Sequence, residues 1–152
     1  MSQQSAGILM FRRTRALPEI LLVHPGGPFW ASKDKGTWSI PKGLYRQGQD
    51  PLSAARREFE EETGCSAQGE FIELGSFKQP SGKTITAWAI ESDFDVTAFK
   101  SNVFSMEWPP RSGKIRNFPE VDRIGWFAFN EAMGKITKGQ VPILAKLLAG
   151  LE

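Results

Sequence analysis

Residues 43–65 read GLYRQGQDPLSAARREFEEETGC, and this stretch decides the fold. Asp50 suits the residue that caps the start of a helix, and Pro51 suits the first helical position. Gly64 can adopt the left-handed conformation that commonly ends a helix. The stretch therefore predicts one well-delimited helix, Pro51–Thr63.

The glutamates of this helix are unevenly placed around its axis. At about 100° per residue, Glu58, Glu61 and Glu62 fall within a single arc of about 100°. Like charges this close repel one another, so a cation is expected between them. Hard divalent cations such as Mg²⁺ bind several carboxylate oxygens that converge from one side. This face of the helix is therefore predicted to be a metal site.

The other two faces of the helix predict its orientation. Leu52, Ala55 and Phe59 share one arc and should pack against a sheet. Arg56 and Glu60 lie together on another arc and should face water. The three remaining glutamates occupy a third arc of the helix.

The same stretch resembles a known family. Gly-x5-Glu-x7-Arg-Glu-U-x-Glu-Glu-x-Gly-U, where U is a bulky apolar residue, is the signature of the Nudix hydrolases, and residues 43–65 fit it at every fixed position except Gln49. The resemblance extends through Trp38–Gly43 before the signature and Trp126-Phe127 in a late strand. It implies an α/β/α sandwich with a mixed β-sheet, and hydrolysis of a nucleoside diphosphate linked to another group, with Mg²⁺ or Mn²⁺ as cofactor.

The resemblance also implies roles for individual residues. Glu58, Glu61 and Glu62 match the family's metal-binding glutamates, with Glu58 and Glu61 also counted among the catalytic residues. Gly43 matches the glycine that lets the preceding loop approach the site. Arg57 matches the arginine that orients the signature helix, and its i, i+4 spacing places it beside Glu61.

Family members often recruit a proton-accepting carboxylate from a later loop. Glu120, shortly before Trp126, and Glu107 are the candidates in this chain. Gln49 replaces the family's glutamate with an amide that forms hydrogen bonds but adds no charge to a cation site. That position is more supportive than catalytic, so activity is expected to survive the replacement.

Several cationic and aromatic residues are candidates for contact with a substrate. Lys42 adjoins Gly43 at the mouth of the predicted metal site, and Lys83 and Arg111 are further candidate phosphate contacts. Trp30 lies in a Gly/Pro-rich loop and is expected to pack within that loop rather than against a base. His24, the chain's one histidine, is expected to be structural.

The remaining sequence alternates apolar runs with turn residues. The region 109–119 is expected to be irregular, and Asn130 is expected to cap a helix. The predicted strands are Ala6–Arg12, Glu19–His24, Thr37–Ile40, Glu70–Lys78, Lys83–Glu91, Asn102–Trp108 and Arg123–Phe129, and the predicted later helices are Asn130–Lys138 and Gln140–Leu148.

The length and net charge of the chain limit its number of domains and its possible binding partners. A chain of 152 residues with 40% hydrophobic content suits a single domain over residues 1–152. The formal net charge of +2 is too small to attract the chain strongly to a membrane surface or to nucleic acid.

The lone cysteine, Cys65, excludes an intramolecular disulfide and suits a reducing, cytoplasmic setting. No apolar run reaches the length of a membrane span. We expect a monomer or homodimer.

Three classes of function remain open. The first is a pyrophosphohydrolase that acts on a small nucleotide, either a dinucleoside polyphosphate or a nucleoside triphosphate. The second is a hydrolase of RNA 5′ ends, which ranks lower because the lysines and arginines are scattered rather than grouped. The third is a catalytically weak nucleotide-binding module, for which Gln49 is the one indication.

Overall fold

The computed structural model describes residues 3–14 and 16–151. Its strands are β1 Gln4–Arg12, β2 Glu19–Pro25, β3 Lys42–Leu44, β4 Ile72–Lys78, β5 Thr84–Glu91, β6 Val103–Glu107, β7 Ile115–Pro119 and β8 Val121–Ala128, and its α-helices are α1 Pro51–Thr63, α2 Phe129–Lys135 and α3 Val141–Leu151. Short 3₁₀ turns lie at Val96–Ala98 and Lys138–Gln140. No helix in the described ranges is both long enough and apolar enough to cross a bilayer.

The main sheet has the order β4-β5-β1-β2-β8, with β3 paired to β1. β1 runs parallel to β5, from Gln4 opposite Thr84 to Phe11 opposite Glu91, and its pairs with β2 and β3 are antiparallel. The β2–β8 and β4–β5 pairs are antiparallel too. The mixed sheet expected from the sequence is therefore confirmed.

The alternating side chains of β1 divide the core into two layers. Ile8 and Met10 point to one face and pack with Ala55 and Phe59 of α1. Leu9 and its odd-numbered neighbours point to the other face, where α2 and α3 cover them. Successive side chains of a strand point to opposite faces, so one strand serves both layers. The result is the α/β/α sandwich predicted above.

α1 begins and ends at the predicted residues. The Asp50 carboxylate accepts a hydrogen bond from the Ser53 backbone N–H at 3.0 Å. Gly64 has φ 79°, and its N–H donates to the Glu60 carbonyl at 2.7 Å. Phe59 is fully buried, and burying a side chain of this kind contributes about 1.5–3 kcal/mol. Leu52, which was expected in the core, is only partly buried, and Ala54 takes the buried position instead.

The region 109–119 was predicted to be irregular, which is confirmed for residues 109–114 and wrong for residues 115–119. Its second half forms β7, which pairs with β6 in a separate two-stranded ribbon, from Val103 opposite Pro119 to Glu107 opposite Ile115. The residues of β7 are mostly exposed, so the apolar alternation that identifies a half-buried strand is weak there. The ribbon ends directly before Glu120, the loop carboxylate singled out above.

Two local predictions also fail. Thr37–Ile40 forms only isolated bridges, from Ser39 to Val23 and from Trp38 to Ile136, rather than a strand. Asn130 does not cap α2, because the helix begins at Phe129 and the cap residue Ala128 makes no side-chain hydrogen bond. Burial of Phe129 against the core sets this helix start in place of a polar cap.

Candidate active site

The glutamates of α1 have the orientations that the helical spacing predicts. Glu58 is largely buried, with 16% of its side chain exposed, and Glu61 and Glu62 are partly buried. Glu60 is exposed. The three inward glutamates therefore share one side of the helix, where it meets the end of the sheet.

Gly43 leaves room for the Glu58 carboxylate. β3 pairs Gly43 with Ala6 of β1, and this pairing brings the β3 backbone against α1. A Cβ atom built on Gly43 would overlap the carboxyl group of Glu58. The expected close approach is thus seen directly, because the space of the missing side chain is filled by a glutamate of the site.

Arg57 contacts a different glutamate from the one expected. Its Nη2 lies 3.4 Å from Glu58 Oε1, and no ion pair with Glu61 is found in the described residues. Arg57 is 45% exposed, and its charge opposes the rise in the Glu58 pKa. The i, i+4 spacing permitted a pair with Glu61, but the guanidinium turns toward its immediate neighbour.

Glu120 reaches the glutamates of α1 through a series of backbone hydrogen bonds. The N–H of Asn102 donates to the Glu61 carbonyl at 2.9 Å, and the N–H of Glu120 donates to the Asn102 carbonyl at 2.8 Å. The Glu120 carbonyl in turn accepts from the N–H of Gly26 at 2.8 Å. We call this series the backbone relay. It fixes the junction of β7 and β8 against the last turns of α1.

The pKa values of Glu58, Glu62 and Glu120 are all raised. Burial raises the pKa of Glu62 to about 8, and repulsion from Glu58 and Glu120 adds to the rise. Burial and repulsion from Glu61 also raise the pKa values of Glu58 and Glu120. These side chains therefore surround a shared space in which negative charge is strongly disfavoured without a compensating cation.

Lys42 supplies the positive charge nearest to Glu62. Both its ammonium group and its backbone N–H lower the pKa of the Glu62 carboxyl, although they do not cancel the larger effect of burial. Lys42 is the first residue of β3, so its position is set by the same strand that carries Gly43. A phosphate that entered here would meet Lys42 at the border of the carboxylate cluster.

The donor set suits a hard divalent cation. Glu58, Glu61, Glu62 and Glu120 offer only oxygen ligands, which Mg²⁺ and Mn²⁺ prefer. Within residues 3–14 and 16–151, no three acidic, histidine or cysteine side chains already enclose a point at ligand distance. Glu62 and Glu120 line one cavity and Glu61 lines another, so a cation held by all of them would need these side chains to rearrange.

Two cavities border the carboxylate cluster. The first, which we call the Trp30 cavity, has a volume of about 290 Å³ and is lined by Val23, Pro25, Trp30, Gly36, Thr37, Ser39, Lys42, Glu62, Glu120, Val121, Thr137 and Gln140. The second, which we call the Lys100 cavity, has a volume of about 620 Å³ and is lined by Ser53, Arg56, Arg57, Glu60, Glu61, Gly64, Ser66, Lys100, Ser101 and Asn102. One cavity therefore includes Glu62 and Glu120 in its lining, and the other includes Glu61.

Three other candidates lie elsewhere in the fold. Lys83 is exposed in the turn between β4 and β5, and Arg111 is exposed at the tip of the β6–β7 ribbon with φ 60°. Glu107 accepts hydrogen bonds from the backbone N–H groups of Arg111 at 2.9 Å and Gly113 at 3.2 Å. None of the three lines either cavity. Glu107 orders the ribbon tip, which leaves Glu120 as the loop carboxylate beside α1.

His24 is structural, as predicted. It is fully buried, its Nδ1 lies 2.7 Å from Asp122 Oδ1, and its Nε2 lies 2.7 Å from the Lys33 carbonyl. Trp30 packs partly within its loop, as expected, because the Lys33 ammonium lies 5.7 Å from its ring centroid, while 45% of the residue stays exposed. Trp30 also lines the cavity that Glu62 and Glu120 line.

The sequence reasoning missed Gly26, Ser101 and Asn102. A Cβ atom on Gly26 would overlap the Pro119 carbonyl, so glycine is required where this loop crosses the end of β7. Ser101 Oγ accepts from the Val121 N–H at 2.9 Å and donates to the Asn102 carbonyl at 2.8 Å. The Pro25-Gly26-Gly27-Pro28 run signals a tight backbone approach, but nothing in the sequence indicates its partner.

Comparison with known proteins identifies the family. The family model described as the NUDIX domain matches residues 1–147. The chain therefore belongs to the Nudix family, whose members generally depend on a divalent metal.

Individual relatives agree with this assignment. The chain is 32% identical over 114 residues to Nudix hydrolase 7 of Arabidopsis thaliana, covering 69% of this chain and 38% of that protein. It is 32% identical over 110 residues to the asymmetrical bis(5′-nucleosyl)-tetraphosphatase of Rattus norvegicus, covering 63% of this chain and 70% of that protein. The chain thus spans well under half the length of the plant relative.

A solved structure agrees on the fold. The NUDIX domain of Shewanella oneidensis NrtR, determined in complex with ADP ribose, superposes with a TM-score of 0.71 at 12% identity, covering 100% of this chain and 90% of that one. At this identity the likeness concerns the architecture alone. It supports the mixed-sheet sandwich described above.

Proposed function

We propose that this chain is a metal-dependent pyrophosphohydrolase that cleaves a phosphoanhydride bond in a nucleoside diphosphate-linked substrate. The observation that carries the proposal is that Glu120 is held beside α1 by the backbone relay and lines one cavity together with Glu62 and Lys42, while Glu58 packs against Gly43 of the same strand as Lys42. Mutual repulsion in that space suits a divalent cation, and phosphate groups are the usual partners of Mg²⁺ in enzymes.

The residues of the site have separate proposed roles in binding the cation and orienting its ligands. Glu58, Glu61 and Glu62 would hold Mg²⁺ or Mn²⁺, with Gly43 leaving the room that Glu58 occupies. Arg57 would hold the Glu58 carboxylate in orientation through its 3.4 Å contact. The bound cation would neutralise the phosphate charge and make water more acidic.

Glu120 is the proposed proton acceptor. Its raised pKa, caused by burial and by Glu61, moves it toward the range in which a carboxylate takes a proton readily. The backbone relay holds Glu120 beside the helix. Lys42, which lines the Trp30 cavity together with Glu62 and Glu120, would contact a substrate phosphate. Lys83 and Arg111 have no place in this arrangement.

The proposed substrate is a dinucleoside polyphosphate or a nucleoside triphosphate. Support for the first comes from the 32% identity to a protein named as an asymmetrical bis(5′-nucleosyl)-tetraphosphatase, of which the match covers 70%. The local acidity of the site and the adjoining basic residues Lys42, Arg57 and Lys100 suit either polyphosphate chain.

A substrate panel tests the proposal. The protein is incubated in Mg²⁺ or Mn²⁺ with nucleoside triphosphates, diadenosine tetraphosphate, ADP-ribose and triphosphorylated RNA, and the products are identified. We expect turnover of a small nucleotide that is lost in Glu61→Gln. Absence of turnover by the wild type on every compound would refute the enzymatic proposal, and cleavage of RNA alone would move it to the 5′ end of RNA.

A catalytically weak binding module is the second candidate, and Gln49 is the observation that favours it. In the structure the Gln49 side chain accepts a hydrogen bond from the Arg46 N–H at 2.8 Å, which closes the turn before α1. Because the amide has this local role, we expect Gln49→Glu to change kcat/KM by less than about threefold. An inert wild type that Gln49→Glu made active would establish the binding module instead.

A further inference from the structure

The Trp30 cavity joins two chemical environments. Its lining includes Lys42, Glu62 and Glu120, the groups that the proposed function assigns to phosphate and cation. It also includes Trp30, which is 45% exposed and has the Lys33 ammonium 5.7 Å from its ring centroid. A ligand that filled this cavity would therefore meet both charged groups and an aromatic residue, and a base would stack on the indole face that Lys33 leaves free.

The polar side chains that line the cavity differ in whether they are already hydrogen-bonded within the protein. Gln140 is buried, accepts from the Ile40 N–H at 3.0 Å and donates to Ser39 Oγ at 2.9 Å, so these two side chains form a fixed wall. Thr137 occupies the cap position of the 3₁₀ turn at Lys138–Gln140 but makes no capping hydrogen bond with its side chain. Thr137 lines the cavity and is only partly buried, so a ligand in the cavity can contact it.

The Lys100 cavity has a contrasting character. Its lining consists of serine, asparagine, glycine and charged side chains, with no aromatic residue. Arg56, Arg57 and Lys100 can contact phosphate there, but no flat apolar surface is available for a base. The two cavities therefore offer different ligands to the same carboxylate cluster.

We propose that the Trp30 cavity binds the nucleoside of a nucleoside 5′-phosphate, with the base stacked on Trp30, its polar edge facing Thr137, and the phosphate at Lys42. A volume of about 290 Å³ lies just below the usual range of ligand pockets, about 300–1,000 Å³, so it suits one nucleoside rather than both ends of a dinucleoside polyphosphate. The inference rests on the proposed function for its substrate class and adds the residues that select the nucleoside.

Binding of nucleoside monophosphates tests the inference without turnover, because these compounds contain no phosphoanhydride bond. AMP, GMP, CMP and UMP are titrated calorimetrically into the wild type in Mg²⁺. The compound that binds most tightly is then titrated into Trp30→Ala and Trp30→Phe. Phe29→Ala is the matched control, because Phe29 is the adjacent aromatic residue, is 59% exposed and does not line the cavity.

We expect Trp30→Ala to weaken binding roughly tenfold, since base stacking on an aromatic side chain contributes about 1–3 kcal/mol. Trp30→Phe should recover most of the affinity, and Phe29→Ala should retain wild-type affinity. Thr137→Val, which replaces the hydroxyl with a methyl group of similar size, should change the order of preference among the four compounds.

The inference is overturned if the wild type binds none of the four compounds, if Trp30→Ala binds as tightly as the wild type, or if Phe29→Ala weakens binding equally. Its failure is distinct from failure of the proposed function. Polyphosphate hydrolysis that is insensitive to Trp30 would retain the enzyme and reject this nucleoside site. Binding that depends on Trp30, without hydrolysis of any compound in the panel, would retain the site and reject the enzyme.

Discussion

The carboxylates of α1 and the carboxylate of Glu120 reach the same space by different means. Glu58, Glu61 and Glu62 are placed by the geometry of one helix, whose limits are set by Asp50 and Gly64. Glu120 lies 58 residues beyond Glu62 in the sequence and is placed by the backbone relay. The helical carboxylates depend on local structure, whereas Glu120 depends on contacts between distant segments.

This difference separates two kinds of vulnerability. A substitution on α1 can remove a carboxylate while the helix remains intact, because propensity and capping hold the helix. Glu120 can be displaced by substitutions that leave its side chain unchanged, because Gly26 and Asn102 determine its position. Removing a carboxylate and displacing one should therefore have different effects on activity and stability.

The largest effect is expected from removing a carboxylate of α1. Glu62→Gln should lower kcat/KM by about a thousandfold, since it removes one of the three carboxylates proposed to hold the cation. Steady-state kinetics with the substrate identified in the panel measures this. Glu60→Gln is the matched control, because Glu60 is exposed on the same turn and should change activity less than twofold. Equal losses in the two variants would contradict the assigned orientation of the helix.

The next effect concerns the proton acceptor. Glu120→Gln should lower kcat by about a hundredfold with little change in KM, as loss of a general base does. Glu107→Gln is the control, since that carboxylate orders the ribbon tip and lies outside both cavities. A pH–rate profile should lose its acidic limb in Glu120→Gln alone. A larger loss of kcat in Glu107→Gln would transfer the role to Glu107.

The raised pKa of Glu62 predicts the pH dependence of stability. Between the usual carboxyl pKa of 4.5 and the folded value of about 8, the folded protein binds more protons than the unfolded chain. The free energy of unfolding of the metal-free protein should therefore fall as pH rises through this window, by about 3–4 kcal/mol between pH 5 and pH 8. Urea unfolding from pH 5 to pH 8 measures the change. Glu62→Gln should reduce the dependence of the free energy of unfolding on pH. If this dependence were as steep in Glu62→Gln as in the wild type, Glu62 would not be its cause.

The smallest effect tests placement alone. Gly26→Ala sets a Cβ atom against the Pro119 carbonyl and should cost about 1–2 kcal/mol of stability, with a roughly tenfold loss of activity as Glu120 moves. Gly134→Ala is the control, because its new Cβ has open space and alanine favours the α2 helix by about 1 kcal/mol. Thermal unfolding and kinetics measure both variants. Full activity in Gly26→Ala would show that the relay does not position Glu120.

Features with local causes were predicted correctly. The bounds of α1 follow from Asp50, Pro51 and Gly64, and the exposure of Glu60 and burial of Phe59 follow from helical spacing. The mixed sheet was implied by the resemblance to a family and is confirmed. His24 was also interpreted correctly from its place at the end of an apolar strand.

Features that depend on tertiary contacts were not predicted. β7 lacks a buried face, so its sequence does not reveal the strand that pairing with β6 creates. The start of α2 is set by burial of Phe129, which overrides the capping preference of Asn130. Trp30 could not be assigned to a cavity wall, because the opposite wall comes from residues more than a hundred positions away, including Thr137 and Gln140.

The sequence by itself determined the glutamate-bearing helix, the family to which the chain belongs and the chemical character of the site. These depend on spacing within one helix and on side-chain chemistry, which are local properties. Only the tertiary structure decided that Arg57 turns toward Glu58, that Glu120 rather than Glu107 joins the cluster, and that Trp30 faces the same space. Those outcomes arise from backbone hydrogen bonds and packing between segments far apart in the chain, which residue spacing does not encode.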